Sequence, residues 1–396
     1  MNAPLRIAIV TPMLPVPFDQ TRGRYIHETA RSLGRLATVR TFFQTLRYPR
    51  LPGLTSRSFI YGEVGPDYTL DGCDVEHYAY PALPVLTRGL NGHLASWALT
   101  PRARRFQPDV MLGYWVYPDG YAALRTARQL DIPCVIGALG SDIHVRDGLN
   151  ARMTRRAIEG ADALVTVSEA MRGYAIAHYG AAPERVHTVV NGFNTAVFRP
   201  MDQATLRRKL GVKADEKLIV YVGRFVEAKG MRELVDAFTT LAQRDPRVCL
   251  ALVGDGTMKA QLMDLVRATG LTDRVHLPGG LPPEQVAEWI NAADTLTLPS
   301  WSEGYPNVVV EAVACGRPVV GTDVGGMREI LDAHNGVLIP ARDTAALTEA
   351  LAGVLARQWD QQAIAARIRR TWDDVAADTL KVCEAVVAQR RAAVHA

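Results

Sequence analysis

Short apolar runs alternate with amphipathic stretches along the whole chain. "RIAIVTP" (6–12) reads as a strand, and "RYIHETARSLGRL" (24–36) places Ile26, Ala30, Leu33 and Leu36 at helical spacing. "TVRTFFQ" is strand-like. Residues 45–80 are rich in Pro, Gly and Tyr with weak periodicity, which predicts an irregular excursion. "PDVMLGYW" (108–115) and "PCVIGAL" (133–139) read as strands on either side of a helical "YAALRTARQL". A helix in "MTRRAIEGA", a strand in "DALVTVS", a helix in "EAMRGYAIAHYG" and the stretch "RVHTVVNGF" (185–193) complete the first half.

The same rhythm restarts after "FRPMDQATLRRKLGV". Strands are expected in "KLIVYVGRF" (217–225), "VCLALVGDG" (248–256), "RVHLPGG", "DTLTLPS" (294–300), "PVVGTDVGG" and "GVLIP". Between them lie helical "MRELVDAFTTLAQ", "MKAQLMDLVRATG", "PEQVAEWINAA" and "VVVEAVACG". Strand and helix taking turns in this way predict α/β architecture with parallel, doubly wound sheets. The boundary falls near 194–203, giving an N-terminal Rossmann-like domain over 1–195 and a second over 200–370. Ligands of such sheets bind beyond the carboxyl ends of the strands.

A chain of 396 residues suits two domains. With 48% hydrophobic and 22% charged residues it reads as soluble and globular. No apolar run approaches the ~18 residues of a membrane helix, and "MNAPLRIAIV" has no signal-peptide pattern. Cys73, Cys134, Cys249, Cys315 and Cys383 have no CxxC spacing. They read as reduced thiols of a cytoplasmic protein, with no metal or disulfide framework expected. Residues 1–200 hold 22 Arg, no Lys and 16 acidic residues, whereas the remainder holds 23 basic against 25 acidic. The basic half fits an anionic partner or the Arg usage of a GC-rich genome.

The candidate chemistry gathers at predicted strand ends. In "PSWSEGYPNVVVEAVACG", Pro306 fits the first turn of a helix that Gly316 stops. Val308, Val309, Val310 and Val313 ring that helix, which predicts that it is buried all round. A carboxylate at Glu311 then needs hydrogen-bond donors. Ribose hydroxyls would serve, as would a buried Arg or a backbone group. The helix start offers free N–H groups to a diphosphate, with Glu303 in the loop just before it. In "YVGRFVEAKG", Arg224 and Lys229 can converge on one diphosphate or remain solvated surface charges. "LVGDG" adds a glycine-rich strand end at Gly254. Gly23, at a helix start, would let a phosphate approach backbone amides. In "GALGSDIHVRD", Asp142 and His144 suit sugar hydroxyls or protons, or a helix cap and a structural ring.

Taken together these motifs resemble the family 4 retaining glycosyltransferases, whose GT-B fold has two facing Rossmann-like domains. "SEGYPNVVVEAVACGRPVVGTDVGG" is similar to the family's E-x7-E motif, with Glu303 and Glu311 in its two positions. "GRFVEAKG" resembles its diphosphate-binding segment. "VVNGFNTAVFRP" resembles its interdomain segment, with Asn194 where Asp is usual. "TWDDVAADTLKVCEAV" resembles its last helix, which returns to the N-terminal domain over about 375–396.

The resemblance implies a hexosyl transferase with a nucleotide-diphosphate sugar donor (UDP- or GDP-sugar) in the C-terminal domain. It also implies an acceptor in the N-terminal domain, a glycan or lipid-linked saccharide of bacterial surface polysaccharide synthesis. Arg224 and Lys229 would take the diphosphate, Glu311 the ribose and Glu303 the sugar hydroxyls. Gly304, Tyr305, Pro306, Asn307 and Val308 would line sugar and phosphate, Gly254 would lie alongside, and Gly23 would admit the distal phosphate. Leu277 and Pro278 would border the base. Arg22, Asp142, His144 and Asn191 fall on the acceptor side. Asp142 and His144 join Glu303, Arg224 and Lys229 as candidates for catalysis. Two departures stand out: Arg22 replaces a frequent glycine, and Leu139 replaces a frequent His.

The resemblance implies metal independence and no cofactor, and no nucleic-acid partner is expected. Retention by front-face attack is favoured over a glycosyl adduct on Glu303. "LTRGLNGHLASWALTPRARRF" (86–106) combines Leu86, Leu90, Leu94, Trp97 and Leu99 with Arg88, Arg102, Arg104 and Arg105. It fits peripheral docking on an anionic membrane or an ordinary core-facing helix with a basic end. Two other functions remain open: a nucleotide-sugar epimerase of the same fold, and a non-catalytic nucleotide-sugar-binding protein.

Overall fold

The computed structural model describes residues 4–49, 64–65, 67–83, 86–144 and 148–395. They divide into two compact units, Met1–Asn191 with Trp372–Ala396, and Gly192–Thr371.

The first unit is built on seven parallel strands in the order β3-β2-β1-β4-β5-β6-β7. These are β1 (Arg6–Thr11), β2 (Thr38–Arg47), β3 (Val75–Pro81), β4 (Val110–Tyr114), β5 (Cys134–Ala138), β6 (Ala163–Thr166) and β7 (Val186–Thr188). Helices α1 (Arg24–Leu33), α2 (Asn91–Phe106), α3 (Tyr121–Leu130), α4 (Gly148–Gly160) and α5 (Glu169–Tyr179) connect them. β4 and β5 are buried along their whole length, as parallel strands covered on both faces must be, which is why they read as unbroken apolar runs. α5 shows how local sequence sets an element's limits. The Ser168 hydroxyl accepts from the Met171 amide at its start, and Gly180 (φ 65°) ends it in the left-handed region.

Two sequence expectations need correction here. α1 ends at Leu33 rather than Leu36. The stretch 45–80, expected to be irregular, carries the end of β2 and most of β3, an edge strand paired with β2 from Val75 to Pro81. Residues 51–63 and 66 of that stretch lie outside those described.

The second unit holds six parallel strands in the order β10-β9-β8-β11-β12-β13. They are β8 (Lys217–Val222), β9 (Val248–Val253), β10 (Val275–Gly279), β11 (Thr295–Leu298), β12 (Val319–Thr322) and β13 (Gly336–Ile339). Its helices are α6 (Gln203–Leu210), α7 (Met231–Arg244), α8 (Lys259–Ala268), α9 (Pro283–Ala292), α10 (Asn307–Ala314), α11 (Thr344–Ala356) and α12 (Gln361–Ala365). The chain enters and leaves this unit side by side, where the Phe193 amide donates to the Arg370 carbonyl at 3.1 Å.

Beyond Thr371 the chain returns to the first unit as α13 (Trp372–His395). Trp372, Val375, Ala376, Val382, Cys383, Val386 and Val387 join the same core as Ile7, Ile26 and Leu33. Each such side chain contributes about 1.5–3 kcal/mol when fully buried if it is Val or larger. All five cysteines are free, and four of them are buried. Among the described residues no helix is long and apolar enough to cross a membrane.

In each sheet the winding direction reverses once, between β1 and β4 in the first unit and between β8 and β11 in the second. Such switch points open a crevice at the carboxyl ends of the two strands.

Candidate functional site

β8 and β11 are adjacent and parallel, and pair at Thr295 with Ile219 and at Leu296 with Val220. Their carboxyl ends therefore emerge side by side. β8 leads into Gly223–Gly230 with Arg224 and Lys229, and β11 leads through Pro299–Pro306, with Glu303, into α10. The sequence motifs thus meet at the switch point of the second sheet because of strand order, although 74 residues separate Lys229 from Glu303.

Close backbone packing fixes these loops. Gly230 (φ +67°) lies where an added Cβ would stand 2.1 Å from the Pro299 carbonyl oxygen. The Trp301 amide donates to the Ala228 carbonyl at 2.8 Å, and its indole N–H donates to Glu233 Oε1 at 2.8 Å. Gly254 (φ +146°) crosses the first loop so closely that a Cβ would come within 1.9 Å of the Gly223 carbonyl oxygen. Sequence reading took Gly254 as a ligand contact, but the chain alone already requires glycine there.

Lys229 Nζ and Glu303 Oε1 form an ion pair at 2.5 Å, with side chains 20% and 10% exposed. The sequence placed these two residues on different parts of a ligand, and in this unit they neutralise one another. Arg224 is exposed. Beneath it, the Tyr221 hydroxyl donates to the Arg224 carbonyl at 2.9 Å. Burial, and then the nearby Glu303 carboxylate, hold that phenol well above its ordinary range.

α10 starts one residue later than expected, with Pro306 as its N-cap. The Pro306 carbonyl accepts from Val309 and Val310, and Asn307 and Val308 make up the first turn, where backbone N–H groups run along the helix axis. Gly304 and Pro306 are buried, and Tyr305, Asn307 and Val308 are partly exposed. The helix is not buried all round. Val309, Val310, Ala312, Val313 and Ala314 face the core, whereas Asn307, Val308 and Glu311 share a partly open face. Glu311 is therefore partly open to solvent rather than enclosed by the core. Leu277 is 37% exposed on the edge strand β10. Pro278 is partly buried beside it, and the Gly279 carbonyl accepts from the Gly254 amide at 2.8 Å.

Sequence reading missed Gly325. It follows β12 with φ +54°, and a Cβ there would approach the Glu303 carbonyl oxygen to 1.9 Å. The Gly326 amide donates to the Gly304 carbonyl at 2.9 Å. The paired glycines just past a strand were the available signal.

The remaining candidates lie in the first unit. Gly23 caps α1 in the left-handed region, and a Cβ would meet the Met13 carbonyl oxygen at 2.3 Å. Its glycine is required without any phosphate. The Arg22 guanidinium donates to the Pro12 carbonyl at 2.5 Å and lies 5.9 Å from the Phe43 ring centroid.

Asp142 is corrected from a substrate-facing acid to a structural acceptor. It is 2% exposed. Its carboxylate accepts from the amides of Gly140 (2.8 Å), Leu139 (2.9 Å) and Val116 (3.1 Å). His144 packs edge-on to Tyr174 at 4.2 Å. Asn191 lines a small cleft with Tyr25, Tyr114, Leu139, Val189 and Thr379. The side-chain oxygen of Asn194, at the start of the second unit, accepts from the Ala196 amide at 3.0 Å.

A second buried acid escaped the sequence reading. Asp119 follows β4, is 2% exposed and accepts from the Gln44 side-chain amide. Burial pushes its carboxyl from 3.8 up to about 7. The folded chain thus keeps a proton that the unfolded chain releases, so this group's contribution to stability falls as pH rises from 3.8 to about 7. A shift of that size corresponds to about 4 kcal/mol. Asp119→Asn is expected to lose less stability than wild type between about pH 4.5 and 7.5 in thermal melts. An identical pH slope in both proteins would contradict this.

Among the described residues no group of three or more His, Cys, Asp or Glu is placed to hold a metal ion.

Comparison with known proteins bears on the family and the fold. Residues 202–371 match the family described as glycosyl transferases group 1, and residues 23–197 match glycosyltransferase family 4. The chain is 30% identical over 388 residues to D-inositol 3-phosphate glycosyltransferase 1 of Catenulispora acidiphila, covering 89% of this chain and 88% of that one. It is 29% identical over 367 residues to a Bacillus subtilis (strain 168) protein provisionally assigned as a teichuronic acid biosynthesis glycosyltransferase, with 88% of each covered. Among solved structures, Anabaena HepE in complex with UDP-glucose superposes with a TM-score of 0.72 at 20% identity, over 95% of this chain and 99% of HepE. That likeness shows the fold, two Rossmann-like units of the GT-B type. The chain belongs to the group 1, family 4 glycosyltransferases.

Proposed function

We propose that the protein transfers a hexosyl group, with retention of configuration, from a UDP- or GDP-sugar to a hydroxyl of a glycan or lipid-linked saccharide in bacterial surface polysaccharide synthesis. The observation that carries this reading is the meeting of Arg224, Lys229, Glu303 and the start of α10 at one switch point. The naming of one relative for teichuronic acid biosynthesis and the UDP-glucose bound to HepE support the choice of acceptor and donor class.

In this mechanism Arg224, Lys229 and the first-turn amides of α10 stabilise charge on the departing diphosphate. No metal ion is called for in this reading, and EDTA is expected to leave the rate unchanged; loss of activity on chelation would contradict it. Glu303 hydrogen-bonds the donor sugar and Glu311 the ribose. The acceptor attacks from the face that the diphosphate leaves, and a phosphate oxygen takes the acceptor proton. Isolation of a glycosyl ester on Glu303 would replace this with a double displacement. The acceptor is assigned to the first unit.

A thermal-shift panel of UDP, GDP, ADP and their sugars tests the donor class. A UDP or GDP compound is expected to raise the melting midpoint, and Glu311→Gln to weaken that shift, while Glu303→Gln chiefly lowers turnover. No stabilisation by any of them would sink the reading. Sugar interconversion without acceptor glycosylation would favour an epimerase, and binding without turnover a non-catalytic protein.

Peripheral membrane contact is a second element, supported by one surface. Leu86, Leu90 and Trp97 are 79%, 56% and 68% exposed, beside the exposed Arg88, Arg104 and Arg105. Leu99 instead faces the core, and Arg102 pairs with Glu76 at 3.1 Å. Such a surface suits an anionic bilayer at the inner face of the cytoplasmic membrane. Co-sedimentation with anionic vesicles is expected at low salt and lost at high salt. Absence of binding at low salt would remove this element.

A further inference from the structure

Lys229 and Glu303 close on each other in the second unit, at 2.5 Å and largely shielded from water. The two backbones that carry them are held. Gly230 presses on the Pro299 carbonyl and Gly325 on the Glu303 carbonyl, each too closely to admit a Cβ. The Gly326 amide also bonds the Gly304 carbonyl at 2.9 Å. Any change of partner at this pair is therefore a movement of side chains, with no loop rearrangement needed.

Consider what a diphosphate does on arrival. Being a stronger anion than a single carboxylate, it takes Lys229 and leaves Glu303 as a shielded carboxylate beside a polyanion. Two like charges at such range repel strongly where water is scarce. A donor sugar relieves this, because its hydroxyls donate to the stranded carboxylate. A nucleotide diphosphate without the sugar has nothing to offer it.

Building on the nucleotide-sugar reading above, we propose that Glu303 is the counter-ion which the donor displaces from Lys229 and which recaptures Lys229 once the sugar has gone. The Lys229–Glu303 pair thereby discriminates between the intact donor and the spent nucleotide diphosphate and speeds release of the latter. The rival role, in which Glu303 merely orients Lys229 for phosphate, predicts the opposite sign for the same substitution.

Calorimetric titration of the full chain with UDP, GDP, UDP-glucose and GDP-mannose, wild type against Glu303→Gln, separates the two. Glu303→Gln is expected to bind the nucleotide diphosphate about tenfold more tightly, with slower dissociation in stopped-flow displacement. The sugar conjugate is expected to bind no more tightly than to wild type, so the preference for the conjugate shrinks. Glu303→Ala is expected to shift the diphosphate in the same direction, which guards against a peculiarity of one variant. Unchanged or weaker diphosphate binding in both variants would overturn the exchange while leaving the nucleotide-sugar reading intact. Failure of wild type to bind any of the four ligands would overturn that reading and the exchange with it.

Discussion

Arg224→Ala is expected to lower kcat/KM for the donor by about 10²–10³-fold, the effect of removing a charge-stabilising donor from a transition state. Its melting midpoint should stay close to wild type. Arg224 is exposed, and its carbonyl accepts from the Tyr221 hydroxyl and the Val226 amide, bonds that the backbone keeps when the side chain is cut back. Surface side chains without structural bonds usually change stability by no more than about 0.5 kcal/mol. Lys229→Ala makes the informative contrast. It removes a similar charge but also strands Glu303, whose side chain is 10% exposed. An unpaired, shielded carboxylate costs about 1–3 kcal/mol or more, so this variant should lose both activity and several degrees of melting midpoint. Steady-state kinetics and melts of the two variants side by side check the pair. Full activity in Arg224→Ala would remove it from the diphosphate site.

Gly325→Ala is expected to carry a large stability cost for so conservative a change near the site. The position has φ +54°, and the new methyl carbon would collide with the Glu303 carbonyl oxygen. Strain at such a φ and a backbone clash together cost about 2 kcal/mol or more. Relief of the clash moves the loop that bears Glu303, so turnover should fall as well. Gly353→Ala is the control. Gly353 lies inside α11 with nothing within 4 Å of an added Cβ, so alanine there should stabilise by about 0.5–1 kcal/mol. Chemical denaturation of both variants tests this, and equal stability of the two would contradict the role given to Gly325.

What the sequence made legible follows from how local each signal is. β4, β5 and β9 are buried end to end, so their apolar runs alone announce a covered parallel sheet. β3 was missed because "VEHYAYP" is an edge strand with only two buried side chains, Tyr78 and Tyr80, and a proline at its end. The valines around Glu311 suggested a fully buried helix, yet the wheel of α10 leaves Asn307, Val308 and Glu311 on one open stripe. Asp142 looked available because its three backbone donors come from two separate turns. No spacing rule encodes that cage. The Lys229–Glu303 pair was equally hidden, since it exists only because β8 and β11 are neighbours. Gly23 and Gly254 were recognised as special, but for a ligand's sake rather than for the carbonyls they touch.

The account stands on a nucleotide diphosphate held at the β8–β11 switch point. The most direct test is a crystal structure grown with whichever nucleotide sugar stabilises the protein. The account predicts diphosphate density in hydrogen-bonding contact with the Arg224 guanidinium, the Lys229 ammonium and the amides of Asn307 and Val308, with Glu303 released from Lys229 towards the sugar. Density for the nucleotide anywhere else in the chain, with the Lys229–Glu303 pair intact, would contradict it.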